Sequence, residues 1–127
     1  MMIKDGLKFS TVELLLLSLL KDEDKYGYQL TQEIASKSGN IFHLKEGSMY
    51  PVLYKLIDRG LISDHAEKVG VRRTRIYYHL EPAGRAYFEN LKSDYAQITK
   101  AVINVVNNLE TNIIDEEEEN TIEETEV

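Results

Sequence analysis

Between Met49 and Leu80 the spacing of apolar residues changes from helical to alternating, and the change falls at Gly60. Met49, Leu53 and Leu56, flanked by Val52 and Ile57, form a stripe at helical steps, as expected of a helix that buries one face. Tyr50, Tyr54, Lys55, Asp58 and Arg59 are left for the outer face. Ser48 can cap the start of this helix with its hydroxyl, which places Pro51 in the first turn, where no backbone N–H is needed. Gly60 suits the left-handed residue that closes a helix. Residues 61–67 and 71–80 then read as two strands joined by a turn at Lys68, Val69 and Gly70. On the return strand Ile76, Tyr78 and Leu80 alternate with Arg73, Arg75, Tyr77 and His79, so one face packs and the other presents cations and ring edges.

Helices are expected on both sides of this unit. Ser10 to Glu13 match a capping box, with Phe9 and Leu14 as its hydrophobic staple, and the helix runs to Leu20. A start near Leu7, with Ser10 inside the helix, fits as well. Leu14 to Leu17 with Leu19 and Leu20 make this helix apolar nearly all round, which in a small domain points to a second subunit. Residues 21–25 read as a polar loop. Residues 26–38 form a supporting helix with Leu30 and Ile34 on one face, stopped by Gly39 and Asn40. From 82 to 109 the last helix carries Phe88, Leu91, Tyr95, Ile98, Val102, Val105 and Leu109, in strictly alternating steps of three and four. A seam sustained over three heptads argues for pairing with another helix. Ala101, Ile103 and Val106 broaden the stripe, which suits packing against the first helix of a partner, with Leu14 and Leu17 in the contact. A purely intramolecular core is the competing explanation.

The formal net charge of −7 divides unevenly along the chain. Residues 110–127 hold nine acids and no lysine or arginine, leaving 13 acids against 15 bases in residues 1–109. The acidic segment lacks a hydrophobic period and reads as a disordered tail, either merely solubilising or competing with phosphates for the basic wing. An EF-hand is unsupported, because alternating ligands and a central glycine are missing. From Lys45 to Arg75 there are seven bases against four acids. DNA is the polyanion such a patch would suit, since cations binding its phosphates release condensed counterions, and a helix fits its major groove. Taken alone, the arginines fit a merely solvated hairpin better, since charge runs are usually solvated faces. Absence of cysteine excludes zinc-thiolate sites, and the chain has no apolar run long enough to span a bilayer and no signal-peptide pattern at its start. A cytoplasmic protein with no membrane partner is therefore expected. His43, His65 and His79 lack metal-ligand or catalytic spacing and no glycine-rich phosphate loop occurs, so neither an enzyme nor a cofactor or metal is expected.

The order of these pieces resembles the PadR family of bacterial transcriptional regulators, in particular its short subfamily with one C-terminal helix. The family's Gly-Thr-Leu-Tyr-Pro stands here as Gly47, Ser48, Met49, Tyr50, Pro51. Tyr26-Gly27-Tyr28-Gln29-Leu30 is similar to its Gly-Tyr-Glu-Leu segment, Arg72-Arg73 through Tyr77-Tyr78 to its arginine-rich wing, and Ala83-Gly84-Arg85 to the start of its last helix. The departure is Glu81-Pro82, where the family usually has Thr-Glu. Pro82 still suits the first helical position. The resemblance implies a mainly helical α+β fold: a winged helix-turn-helix over residues 1–81, a long dimerisation helix over 82–109, and the acidic tail. It implies a homodimer on double-stranded DNA with a palindromic operator, acting as a repressor. Ser48 and Tyr50 would position the reading helix, with Lys45 beside them. Tyr54 and Lys55 would approach base edges or phosphates, and Arg72, Arg73 and Arg75 would grip through the wing. Tyr26 is either an ordinary buried ring or a phenol donating to phosphate at a helix start. Similar short regulators bind aromatic, cationic drugs in an apolar channel at the dimer interface. An aromatic effector is thus implied here, although with no tryptophan the stacking site of some relatives is excluded. The rival reading is a winged-helix protein-interaction module that does not bind DNA.

Overall fold

A computed structural model describes residues 9–106. Seven elements follow in order: α1 (Phe9–Leu20), β1 (Lys25–Tyr26), α2 (Gly27–Lys37), α3 (Glu46–Asp58), β2 (Ile62–Val69), β3 (Arg73–Leu80) and α4 (Pro82–Val106). The sheet is antiparallel with order β1-β3-β2, giving the mainly helical α+β winged helix-turn-helix that the sequence predicts. Through Leu91 the chain forms one compact unit, and a second begins at Lys92, so the first turns of α4 belong to the winged helix. The alternative start near Leu7, the predicted interface residue Leu109 and the acidic tail lie outside the described residues, as does the side chain of Phe9.

The core is apolar. Leu16, Leu17 and Leu20 of α1, Leu30 and Ile34 of α2, and Met49, Val52, Leu53 and Leu56 of α3 meet Ile62, Tyr78 and Leu80 of the sheet and Phe88 of α4. The helical stripe on α3 is thus buried as its spacing predicts. Burial on this scale, at about 25 cal/mol per Å² of apolar surface removed from water, is the main favourable term.

Local details correct the sequence reading at five places. Ser10 lies inside α1 and is not its cap. The polar loop at 21–25 ends in a strand: Lys25 pairs with Tyr78 and Tyr26 with Tyr77. Helix α3 starts at Glu46 with Lys45 as its N-cap residue, so Ser48 sits within the first turn and caps nothing. Pro51 therefore falls in the second turn, where its missing N–H leaves the carbonyl of Gly47 without a helical donor. Gly47 is exposed, and water can supply that bond. The wing turn is Gly70 to Arg72, not 68–70, because the ladder continues to Val69↔Arg73. The packing face of β3 is shorter than its alternation suggests: Tyr78 and Leu80 are buried, but Ile76 is 43% exposed, since the outer half of the hairpin extends past the core.

Helix α3 ends as predicted. Gly60 takes φ +74°, the N–H of Leu61 donates to the Leu56 carbonyl at 3.0 Å, and that of Gly60 donates to Ile57 at 2.9 Å, which closes the helix and launches β2. Leu61 in turn receives α4. Its carbonyl accepts the Glu81 N–H at 3.0 Å, and a β-carbon on Gly84 would stand 2.0 Å from that same oxygen. Glu81 also accepts the Ser63 hydroxyl at 2.6 Å, so the Glu81-Pro82 departure keeps its side chain engaged with β2. Behind this joint the buried carboxylate of Glu13 accepts the Tyr87 hydroxyl at 2.5 Å and Arg59 at 3.4 Å, and the Arg59 guanidinium lies 4.6 Å from the centre of the Tyr87 ring.

Two outcomes are expected. Gly84→Ala forces a methyl against backbone that cannot yield, and should lower stability by about 1–3 kcal/mol, read by chemical denaturation. Burial raises the Tyr78 phenol from 10.0 to about 12. The stability that this neutral phenol contributes is whole below about pH 10 and is lost as pH climbs through about 12. Thermal midpoints of wild type and Tyr78→Phe should therefore converge over that window, and parallel pH profiles would contradict the assignment.

Candidate nucleic-acid interface

Three elements converge beside the sheet. Helix α2 begins directly after β1, and the carbonyl oxygen of the Gln29 side chain accepts the Tyr26 N–H at 3.3 Å, which secures the turn into the helix. Strand β1 is itself anchored by Lys25, buried to 6% exposure, whose ammonium binds Glu33 at 3.2 Å and Glu23 at 3.1 Å. Burial alone would lower the pKa of Lys25, but hydrogen bonds and charge from the two carboxylates outweigh it and raise it. The strand therefore holds a charged residue inside the fold without leaving it unpaired.

Against the start of α2 lies Tyr50 of α3. A β-carbon on Gly27 would stand 2.2 Å from the Tyr50 hydroxyl oxygen, so the absence of a side chain at 27 creates the seat for this ring. Tyr50 is half-buried and stacks on Tyr54 with centroids 6.0 Å apart. Burial pushes its phenol up, with Glu46 and Tyr54 adding to the effect, so at neutral pH it is a neutral hydroxyl able to donate. On the other side stands the wing. The Arg75 guanidinium lies 4.2 Å from the centre of the Tyr26 ring, Tyr26 meets Tyr77 edge-on at 5.4 Å, and His65 stacks on Tyr77 at 5.8 Å. The cation is thus held over an aromatic face instead of against a carboxylate.

Tyr26, Tyr50, Tyr54 and Arg75 line an open cleft of about 600 Å³. Of the predicted DNA-contact residues it gathers Tyr26, Tyr50, Tyr54, Arg73 and Arg75. Lys45, Ser48, Lys55 and Arg72 are exposed, the first three on α3 and its cap and the last in the wing turn, and they do not line the cleft. Tyr28, Glu46, Ile76 and Tyr78 do line it and were not anticipated. Tyr28, 59% exposed in the first turn of α2, was within reach of the sequence, because it belongs to the same tyrosine-glycine-tyrosine segment as Tyr26. Glu46 had no such signal while the helix was taken to start at Ser48. The ring of Tyr26 is half-buried and borders the open cleft.

Charges on this surface are sorted by partner. Lys45, Lys55, Lys68, Arg72, Arg73 and Arg75 form no ion pair among the described residues, whereas Lys25 and Arg59 are paired with carboxylates. Glu67, the acid nearest the wing tip, is engaged by His65 at 2.9 Å. Exposed cations without local neutralisation, next to hydroxyl donors and a helix N-terminus, are what a phosphate backbone requires. No group of acidic or histidine side chains among the described residues could hold a metal ion, and no described helix is long and apolar enough to cross a membrane.

The predicted interface set separates by burial. Leu17 and Phe88 are 0% and 2% exposed within the chain's own core and so offer no surface to a second copy. Leu14 and Leu91 are half-buried, while Tyr95, Ile98, Val102 and Val105 are 44%, 61%, 52% and 86% exposed along α4.

Comparison with known proteins agrees with this geometry. The model of the transcriptional regulator PadR-like family matches residues 16–90. A transcriptional regulator from Clostridium thermocellum is 30% identical, with a TM-score of 0.69 over 77% of this chain and 95% of its own. A PadR family transcription regulator from Clostridium difficile R20291 is also 30% identical, with a TM-score of 0.63 over 73% of this chain and 94% of its own. Bacillus subtilis PadR, solved in complex with operator DNA, shares the fold at 24% identity and a TM-score of 0.60, over 65% of this chain and 47% of its own. With more than half its length matched by the family model and its four motifs placed where a winged helix uses them, the chain belongs to the PadR-like family of transcriptional regulators.

Proposed function

We propose that the protein is a homodimeric, sequence-specific DNA-binding repressor. Helix α3 enters the major groove of each half of a palindromic operator, and the wing holds the flanking phosphates. The observation that carries this reading is the convergence of Tyr26, Tyr50, Tyr54, Arg73 and Arg75 on one open cleft, with unpaired cations around it. The operator complex of Bacillus subtilis PadR supports it by analogy of fold. In the dimer the exposed stripe of Tyr95, Ile98, Val102 and Val105 meets a second copy with Leu14 and Leu91, since four large apolar side chains along one helix are unfavourable in water. Two heads related by a two-fold axis then match a palindrome. An aromatic small molecule is the class of effector that suits the chain's apolar groove of about 300 Å³, lined by Leu15, Leu19, Ile34 and Phe42 among others.

Binding of the full chain to duplex containing its own upstream DNA should exceed binding to a scrambled duplex. Equal affinity would remove sequence specificity, and no binding to either would favour a protein-interaction module. Arg73→Ala should weaken binding to every sequence and reduce the slope of log K against log salt by about one. Gly27→Ala should leave the fold intact, displace the Tyr50 ring and lower affinity about tenfold, the order expected for one lost charge-assisted hydrogen bond. A Gly27→Ala protein that binds as tightly as wild type would show that the seat of Tyr50 is not used. Sedimentation at micromolar concentration should give a dimer, and a species of 14.6 kDa would count against the interface.

A further inference from the structure

A surface that only holds phosphate has no use for a carboxylate, yet Glu46 lines the cleft beside Tyr26, Tyr50, Tyr54, Arg73 and Arg75. It is exposed and, although two guanidiniums share the cleft, its side chain forms no ion pair or hydrogen bond among the described residues. Elsewhere carboxylates are engaged: Glu13 by Arg59 and Tyr87, Glu23 and Glu33 by Lys25, Asp24 by His79, Glu67 by His65 and Glu81 by Ser63. Asp22, Asp58 and Asp64 are exposed without an ion pair, but none of them lines the cleft. An acid in the first turn of a helix complements the helix dipole, which accounts for the place of Glu46 along α3. The dipole does not dictate a side of the helix. Steps of four put Glu46 in line with Tyr50 and Tyr54, on the side that lines the cleft with the wing arginines.

We propose that Glu46 is a specificity-determining residue: its carboxylate accepts a hydrogen bond from the exocyclic amino group of a cytosine in the major groove and repels phosphate, so that duplex lacking that cytosine is disfavoured. This role rests on the proposed reading of an operator by α3. An ionised carboxylate is acceptor-only, and the cytosine amino group is the donor that base-edge recognition pairs with it. Guanine and thymine turn acceptors into the same groove and would be refused. The first turn is also the part of an inserted helix that meets base edges. One turn further on, Tyr50 is seated against Gly27, which fixes how far this end of α3 stands from the start of α2. The Glu46 charge is felt there, since it helps to hold the Tyr50 phenol neutral. The free arginines and the free carboxylate then divide the work. Arg73 and Arg75 attract any duplex, and Glu46 makes that attraction conditional on a matching base. A carboxylate already paired with either guanidinium would serve neither purpose.

The test compares the full-length wild type with Glu46→Ala, whose exposed site and helix-favouring replacement keep the fold, checked by a thermal midpoint near that of wild type. Each protein selects from a library of duplexes with a randomised core. Wild type should enrich a motif with a C·G pair at a position where Glu46→Ala shows no preference. Replacing that pair by T·A should then weaken wild type about tenfold, the lower end of the range for one base contact, and leave Glu46→Ala within about twofold. On a duplex of unrelated sequence the variant should bind more tightly than wild type at low salt, and the gap should close as salt screens the lost repulsion. Identical motifs from the two proteins, or motifs that differ only at A·T pairs, would overturn the assignment and leave operator reading intact. Equal affinity for the unrelated duplex at low salt would overturn the repulsive half. If wild type enriches no motif at all, the operator-reading function itself fails and the role of Glu46 falls with it.

Discussion

A two-residue strand sets the geometry of the cleft between α2, α3 and the wing. Lys25↔Tyr78 and Tyr26↔Tyr77 tie the start of α2 to the central strand of the sheet, and everything that lines the cleft refers back to that pairing. Tyr26 brings its ring under Arg75, and the next residue, Gly27, opens the space that Tyr50 of α3 fills. Two ladder positions would contribute little alone, because a backbone pair in water is worth about 1 kcal/mol net. The strand persists because Lys25 is buried with two carboxylates around it and because α2 propagates from its end. Removing both carboxylates would leave a desolvated ammonium in the fold, so the placement of Lys25 is supported electrostatically although its geometry is that of a sheet.

Electrostatics also explains how an acidic protein can present a surface for a polyanion. Net charge is a poor guide here, since it sums a head that is slightly basic with an acidic segment beyond it. What matters locally is which cations have lost their counter-charge. Glu13, Glu23 and Glu33 are committed to Arg59 and Lys25, none of which lines the cleft, and the wing arginines are left to aromatic rings and solvent. Stacking on Tyr26 holds the Arg75 guanidinium in place without neutralising it, which would lower the entropy lost on binding an anion such as the proposed phosphate.

Much of this could be read from residue order. The helical stripe of α3, its left-handed stop at Gly60, the hairpin and the entry of α4 all follow from spacing that one face of a helix or strand must bury. Strand β1 could not, because two residues carry no period and a lysine reads as solvent-facing until its partners Glu23 and Glu33 are known. The start of α3 differs for a similar reason: Ser48 has the right side chain for a cap, but the chain turns helical two residues after the buried Leu44, with Glu46 supplying a first-turn acid instead. Sequence also gave no warning that Gly27 and Tyr50 meet, since contact across two helices depends on how α2 and α3 cross. The motif residues were visible, while the reason they must be glycine and tyrosine lies in that crossing.

The beginning of α4 shows why a heptad seam cannot be assigned to one purpose from its period alone. Phe88 occupies a seam position, yet it is buried in the winged helix, and Tyr87 beside it donates to Glu13 of α1 while Arg59 from the end of α3 closes over its ring. Gly84 removes the last possible gap against Leu61. Three contacts of different kinds, a close backbone approach, an apolar side chain and a buried carboxylate, therefore fix the first turns of the helix to the rest of the core. The seam positions from Tyr95 onward are not consumed in this way, and their exposure is the physical difference between a helix that completes a core and one that still has an apolar face to bury.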